Sequence, residues 1–384
     1  MIFDRANVKF FKKWWNNIDK RILYLSMIFL VFGCLFAFIA SPVVATRIGI
    51  KYNTFIVKHC IFAIISVIII FSLSFLNDEQ IKKISIISFI VLLMLLISVF
   101  FVGVSNKGSK RWIHIASFSI QPSEILKPFF VVVISHLIAE FKKPYNYYFA
   151  AGVLFLIGML LIKQPDLGLT ILLIVIFIIE IFLTNINLKY FSITIGGFVI
   201  ILLPTLYFLF PHFHYRVDKY FESAFYENNK SYQVEKSLNA YVNGGFAGKG
   251  ILNGEVKNSI PDSHTDFIFS VIGEEMGGVF CIFIIIFYAY FSIISLVDIK
   301  NTDNNFKYLS VCGLSLMFIL QSFINIGVSL NLLPTKGITL PLISYGGSSM
   351  IGTAISIGFI IALTKEKFGN IRNENTLYEA FKEK

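Results

Sequence analysis

Residues 22–41 read ILYLSMIFLVFGCLFAFIAS, twenty positions without a charged side chain. An α-helix rises about 1.5 Å per residue, so about 20 apolar residues cross the roughly 30 Å hydrocarbon core of a bilayer. The run has no polar stripe that water could solvate. Residues 1–21 before it are basic and aromatic, and the apolar stretch is long enough to span, so it reads as an uncleaved first helix.

Similar runs recur at about 57–76, 84–104, 120–140, 147–163, 167–184, 190–210, 266–295, 307–331 and 342–363. With the first they predict an all-α polytopic membrane protein of ten transmembrane helices. Composition agrees. The chain is 56% hydrophobic and 15% charged, whereas a soluble domain carries about a quarter charged residues. The net charge of +10 raises the question of nucleic acid. Lys and Arg fall in short segments between apolar runs rather than in one patch, so topology accounts for them and no nucleic-acid partner is expected.

With the N-terminus in the cytoplasm, the segments on that side hold 18 Lys and Arg, against 8 in the short external segments. The positive-inside rule then puts both termini in the cytoplasm. Residues 1–21 form a cytoplasmic segment, 22–363 the membrane domain, and 364–384 a cytoplasmic tail. One large periplasmic loop, 211–265, joins helices 7 and 8. The four cysteines, Cys34, Cys60, Cys281 and Cys312, lie in or at the edge of spans and lack paired spacing, so they read as packing residues.

Charged groups are costly within a membrane, so the polar residues at span ends carry the information. Gly108-Ser-Lys-Arg-Trp-Ile113 leads into Gln121-Pro-Ser-Glu-Ile-Leu-Lys127. Pro122 suits a first helical turn, Glu124 sits at the positive end of the dipole, and Lys127 lies three residues on, where the two can pair. Lys163-Gln-Pro-Asp-Leu-Gly168 opens the next external helix start. Pro261-Asp-Ser-His-Thr-Asp266 opens the eighth span, with Thr265 as the expected cap, Asp266 in the first turn, and Glu274 and Glu275 about two turns deeper. Leu333-Pro-Thr-Lys-Gly-Ile-Thr-Leu-Pro341 precedes Ser344-Tyr-Gly-Gly-Ser-Ser349.

The N-terminal ends of spans 4, 6, 8 and 10 thus share the external side. Free N–H groups there, with Lys127, Lys163 and Lys336, suit a phosphate-bearing headgroup. Asp166 and Asp266 would repel phosphate; they could hold a divalent cation bridging to a diphosphate, or one could act as a base. Taken singly, each motif has a plainer reading. Pro-Ser-Glu and Pro-Asp are common helix starts, Glu124 with Lys127 can be a structural pair, Trp112 an interfacial anchor, and Gly346 and Gly347 packing positions. Glu180 and Asp298, near cytoplasmic ends, are expected to be solvated, and the cytoplasmic half to be almost purely apolar.

The strings GSKRWI, QPSE with Lys127, KQPDLG, SYQ, IPDSHTDFIFSVIGEE and LLPTKGITLPLISYGGSS, from about 108 to 349, resemble the SEDS family of peptidoglycan glycosyltransferases, in the family's order. Pro334-Thr335-Lys336-Gly337 resembles the division branch more than the elongation branch. The resemblance implies polymerisation of lipid II at the outer face of the bacterial cytoplasmic (inner) membrane, at the division septum. A growing glycan on undecaprenyl diphosphate would be the donor, and the 4-hydroxyl of lipid II's N-acetylglucosamine the acceptor. The β-1,4 bond would form with inversion. The resemblance makes Asp266 the catalytic residue. It points to Lys336 and Lys127, with a cation such as Mg2+ or Mn2+, at the diphosphate. It places Arg111, Trp112, Glu124, Asp166, His264, Ser344, Gly346 and Gly347 at the substrate site in less defined roles. The implied partners are the class B penicillin-binding protein FtsI and the regulators FtsQ, FtsL, FtsB and FtsN. A lipid II flippase and a non-catalytic divisome scaffold are the competing readings.

Overall fold

Polar side chains open the apolar helices. In the computed structural model, Asp19 accepts a hydrogen bond from Arg21 N at 2.8 Å at the start of α2 (Lys20–Arg47). Asn77 and Gln80 form a reciprocal capping box on α4 (Asp78–Val102), and Asn304 caps α11 (Asn305–Ser329). Each cap satisfies N–H groups that a helix leaves free. The structure describes residues 5–382 except 107–108, 116–117, 185, 211–213, 216, 219–231, 301 and 335–336.

The remaining elements are α1 (Arg5–Asn17), α3 (Thr54–Ser74), α5 (Pro122–Glu140), α6 (Tyr145–Lys163), α7 (Leu167–Phe182), α8 (Leu188–Leu209), α9 (Tyr232–Gly244), α10 (Ile268–Ile299) and α12 (Gly347–Lys382). Among the described residues, eight helices are long and apolar enough to cross a membrane: α2 to α6, α10, α11 and Gly347–Lys365 of α12. Of the other expected spans, α7 is apolar but 16 residues long, and α8 has 22 residues. Large apolar side chains face outward, among them Phe155 at 70% and Phe208 at 79% exposure, as lipid contact requires. The chain is a multi-pass membrane protein.

Burial orders the bundle. The apolar part of α12 is 89% buried and that of α5 72%, against 22% for α3 and α6. The centre is therefore α12 and α5, with α11 packed on both and α3 against α12. Small residues permit this closeness. A Cβ at Gly352 would sit 2.5 Å from the Glu124 carbonyl oxygen, and one at Gly347 2.3 Å from the Phe62 ring.

In the external segment, β1 (Val104–Asn106), β2 (Ser109–Ile115) and β3 (Phe118–Ile120) form a three-stranded antiparallel sheet with Trp112 opposite Val104 and Ile113 opposite Ile120. Expectations at the eighth span and for the buried acids need correction. Thr265 does not cap the eighth span. Phe267 occupies that position without a side-chain bond, Thr265 Oγ1 donates to Asp262 O at 3.2 Å, and Asp266 lies in the turn before the helix. That helix is also broken, at Gly277 with φ 82°, where a Cβ would lie 2.3 Å from the Phe246 carbonyl. Glu180 and Asp298 are buried rather than solvated. Glu180 packs against Gly313 and accepts from Ser135 at 3.3 Å, so the terminal half of the bundle is not purely apolar, and Asp298 pairs with Arg21 at 3.0 Å.

The end carrying α1 is tied by side chains from distant segments. Lys307 meets Asp78 at 3.0 Å, Lys82 meets Glu140, and Lys365 donates to the Phe75 carbonyl at 3.2 Å. At the opposite end the sheet, the 163–166 turn, the 232–267 segment and residues 337–346 come together. The polar motifs lie there.

Candidate active site at the helix starts

Two clusters flank the start of α12. The first is built by the sheet and the helices it leads into. Arg111 on β2 donates through Nε to Gln164 O at 2.8 Å and through Nη2 to Pro165 O, and its Nη1 lies 3.5 Å from Asp166 Oδ1. One planar guanidinium thereby holds the whole Gln164-Pro165-Asp166 turn. Asp166 caps α7, accepting from Leu169 N at 3.5 Å, and accepts from Gln121 Nε2 at 3.2 Å. Burial pushes its carboxyl above the ordinary range, while the Arg111 charge opposes that rise and Glu124 adds to it. Lys127 Nζ donates to Glu124 Oε2 at 2.6 Å, the pairing expected of i and i+3 on one face. Lys127 is 3% exposed. Trp112 is half-buried on the same strand as Arg111.

The second cluster surrounds Asp266, which is half-buried. Ser344 Oγ donates to Thr265 O at 2.7 Å, and Tyr345 N donates to His264 O at 2.9 Å, so the Ser344 side chain and the Tyr345 backbone grip the turn holding the aspartate. From the other side Asn325 Nδ2 donates to Asp266 O at 3.0 Å and to Ile338 O at 2.8 Å. Gly337 lies close enough that a Cβ there would be 3.6 Å from Asp266 Oδ2. Lys336, the adjacent residue, is outside the described residues. His264 is buried and packs in a cluster of three rings with Phe55 and Tyr345, with ring centroids 4.7 and 5.3 Å away.

The start of α12 joins the clusters. Ser348 Oγ accepts from Gln121 N at 2.8 Å, Gly352 packs on Glu124, and Thr339 Oγ1 donates to Ser349 Oγ at 2.6 Å. Gly347 and Gly352 admit the close approach to Phe62 and α5, and Gly346 lies against Thr339. Asn325 and Phe55 were not singled out from sequence, and Gln121, Tyr345 and Ser348 lay in quoted motifs without an assigned role. A lone Asn inside an apolar span was the signal that could have found Asn325.

Glu274 and Glu275 are buried and turned toward the loop. Glu274 Oε1 accepts from Asn243 Nδ2, Glu255 N and Val256 N at 2.8, 2.9 and 2.7 Å, and Oε2 accepts from Lys257 N at 2.8 Å. Glu275 accepts from Gly254 N at 3.3 Å and pairs with Lys257. The glycines at 244, 248 and 254 press on this acidic pair, where any side chain would collide. The glycine-rich segment is therefore a clasp on the broken helix.

Among the described residues no group of three or more His, Cys, Asp or Glu is placed to hold a metal ion. Asp166 is committed to Arg111, Gln121 and Leu169 N, so an ion held by Asp166 and Asp266 together does not fit this arrangement.

The fold and site define a class: a helical multi-pass membrane protein whose acidic and basic side chains gather at helix starts on one face of the bundle. The chain matches the family model described as cell cycle protein, FTSW_RODA_SPOVE, over residues 19–368, and it belongs to that family. The probable peptidoglycan glycosyltransferase FtsW of Caulobacter vibrioides is 33% identical over 366 residues, covering 93% of this chain and 91% of that protein. The FtsW of Riesia pediculicola, also named a probable peptidoglycan glycosyltransferase, is 33% identical over 91% of this chain and 95% of its own. Among solved structures, a chain of a peptidoglycan synthase complex that coordinates polymerization and crosslinking shares the fold at TM-score 0.76, with 20% identity and coverage of 91% and 98%. RodA of Thermus thermophilus shares it at TM-score 0.66, with 21% identity and coverage of 91% and 97%.

Proposed function

We propose that this protein is a peptidoglycan glycosyltransferase of cell division that polymerises lipid II with release of undecaprenyl diphosphate. The names of the relatives at about one-third identity support the activity and the division setting. The observation that carries the residue assignment is the clamped turn: Ser344 holds the Thr265 carbonyl from one side, and Asn325 ties the Asp266 carbonyl to the Ile338 carbonyl from the other. A carboxylate carried on so fixed a backbone at a membrane face suits a general base, which must be within hydrogen-bond reach of the proton it takes.

In this reading Asp266 removes the proton from the 4-hydroxyl of lipid II's N-acetylglucosamine. That oxygen attacks C1 of the donor sugar, the bond to the diphosphate breaks, and the configuration inverts. Lys127 and Lys336 offset charge growing on the leaving diphosphate. Glu124 orients Lys127, Arg111 fixes the Asp166 turn, and Trp112, His264, Ser344, Gly346 and Gly347 shape the acceptor and donor approach. A divalent cation, Mg2+ or Mn2+, would supply positive charge at the leaving diphosphate, and among the described residues no acidic cluster is placed to hold it.

The proposal takes α7 and α8 as spans, giving ten, with both termini in the cytoplasm and the 211–265 loop in the periplasm of a bacterial inner membrane. FtsI is the proposed transpeptidase partner, with FtsQ, FtsL, FtsB and FtsN as regulators at the septum. The test is polymerisation of fluorescent lipid II by the purified protein with its class B penicillin-binding partner. Polymer lost in Asp266→Asn is the expected result, and polymer retained removes the assignment of the base. Translocation of lipid II across vesicles without polymer would favour the flippase. Normal division by cells carrying a folded, septal Asp266→Asn protein would favour the scaffold.

A further inference from the structure

Asn325 behaves unlike its neighbours on α11. Ser322 Oγ donates back to Phe318 O at 2.9 Å and Ser329 Oγ to Ile326 O at 2.7 Å, each closing a bond within its own helix. Asn325, 1% exposed and between them, leaves the helix altogether. Its one amide nitrogen donates to the Asp266 carbonyl and to the Ile338 carbonyl at 3.0 and 2.8 Å. Both amide protons are therefore used on two segments, 59 and 13 residues away in sequence, that meet at the aspartate. Its Oδ1 is buried and has no hydrogen-bond partner among the described residues. Both donors crossing to the segments that meet at the aspartate, rather than the unpartnered oxygen, set Asn325 apart from other buried polar groups such as Gln321.

We infer that Asn325 is a positioning residue for the glycosyl transfer. It fixes the peptide carrying Asp266 against the 337–338 backbone, and so sets the direction of the carboxylate toward the acceptor hydroxyl. Ser344 and Tyr345 hold the preceding residues, Thr265 and His264, from the α12 side. Asn325 alone among these contacts binds the Asp266 peptide itself and the segment beside its carboxylate. The inference rests on the proposed activity and adds a residue that no catalytic motif contains.

The experiment measures kcat and KM for lipid II with wild type, Asn325→Ala, Asn325→Asp and Gln321→Leu, each with the class B partner and well below its thermal midpoint. Gln321 is the control. It sits one turn away on α11, and its buried Nε2 donates to neither the Asp266 turn nor any other described group. Misplacing a reacting group by about 1 Å can cost about a hundredfold in rate. Asn325→Ala should therefore lower kcat by about 10- to 100-fold with KM within about twofold. Asn325→Asp, similar in shape but turning acceptors toward both carbonyls, should lose at least as much, while Gln321→Leu keeps its kcat. An Asn325→Ala enzyme with wild-type kcat overturns the inference, as does an equal loss in Gln321→Leu or a rise in KM with kcat unchanged. Wild-type protein that makes no polymer sinks the parent proposal and this inference with it. Polymer from wild type and undiminished polymer from Asn325→Ala sinks the inference alone.

Discussion

Glu274 is the point at which the large loop is fastened to the bundle. Its carboxylate receives four donors at 2.7–2.9 Å, three of them backbone N–H groups of residues 255–257, and it is fully buried. Glu274→Gln keeps the shape but replaces one oxygen with an NH2 group. The remaining oxygen serves the three donors at the Oε1 position, and Lys257 N then faces a donor. One orphaned buried N–H costs about 1–3 kcal/mol. Where the loop opens locally, that difference speeds amide exchange about 5- to 150-fold. Glu274→Ala strands all four donors and should exchange faster still. Hydrogen-exchange mass spectrometry on the purified protein in micelles or nanodiscs reads this directly. The expected pattern is faster exchange confined to about 244–258, graded from Gln to Ala, with α5 and α11 unchanged. Unchanged protection in both variants would refute the clasp. Uniform acceleration across the bundle would show that Glu274 supports the whole fold rather than the loop.

Arg111→Lys retains the charge but cannot reproduce the grip on Gln164 O and Pro165 O, and each charged hydrogen bond is worth about 1.5–3 kcal/mol. Its thermal midpoint should fall, and exchange at 163–167 should rise before that at α10. Gly352→Ala pushes a methyl to 2.5 Å from the Glu124 carbonyl, where backbone must move, so overpacking of about 1–3 kcal/mol and a drop in lipid II turnover are expected. Glu180 offers a gentler contrast: Glu180→Gln keeps the Ser135 bond and should melt close to wild type, whereas Glu180→Lys, a cation pressed on Gly313, should fail to accumulate in the membrane.

The amino-acid sequence by itself determined the apolar runs that became the eight long helices, and the starts of α5 and α7. Lipid is a uniform solvent, so a run such as 22–41 declares its environment without reference to any other segment. Pro122, Asp166 and the Glu124–Lys127 pair act within one or two turns, and the structure holds Asp166 as the cap of α7 and the pair at 2.6 Å. Tertiary structure alone decided the rest. Asn325 meets Asp266 across 59 residues, Arg111 meets Gln164 across 53, and Glu274 meets the loop around Glu255 across 19. Glu180 was expected to face water because it lies near a span end, yet the packing of α5 and α11 around α7 enclosed it. The Gly277-Gly278 pair permits a break in α10, but the break itself follows from the loop backbone lying against it. Hydrogen bonds between distant segments depend on which helices become neighbours, and that choice is made by the packing of the whole bundle rather than by the residues on either side.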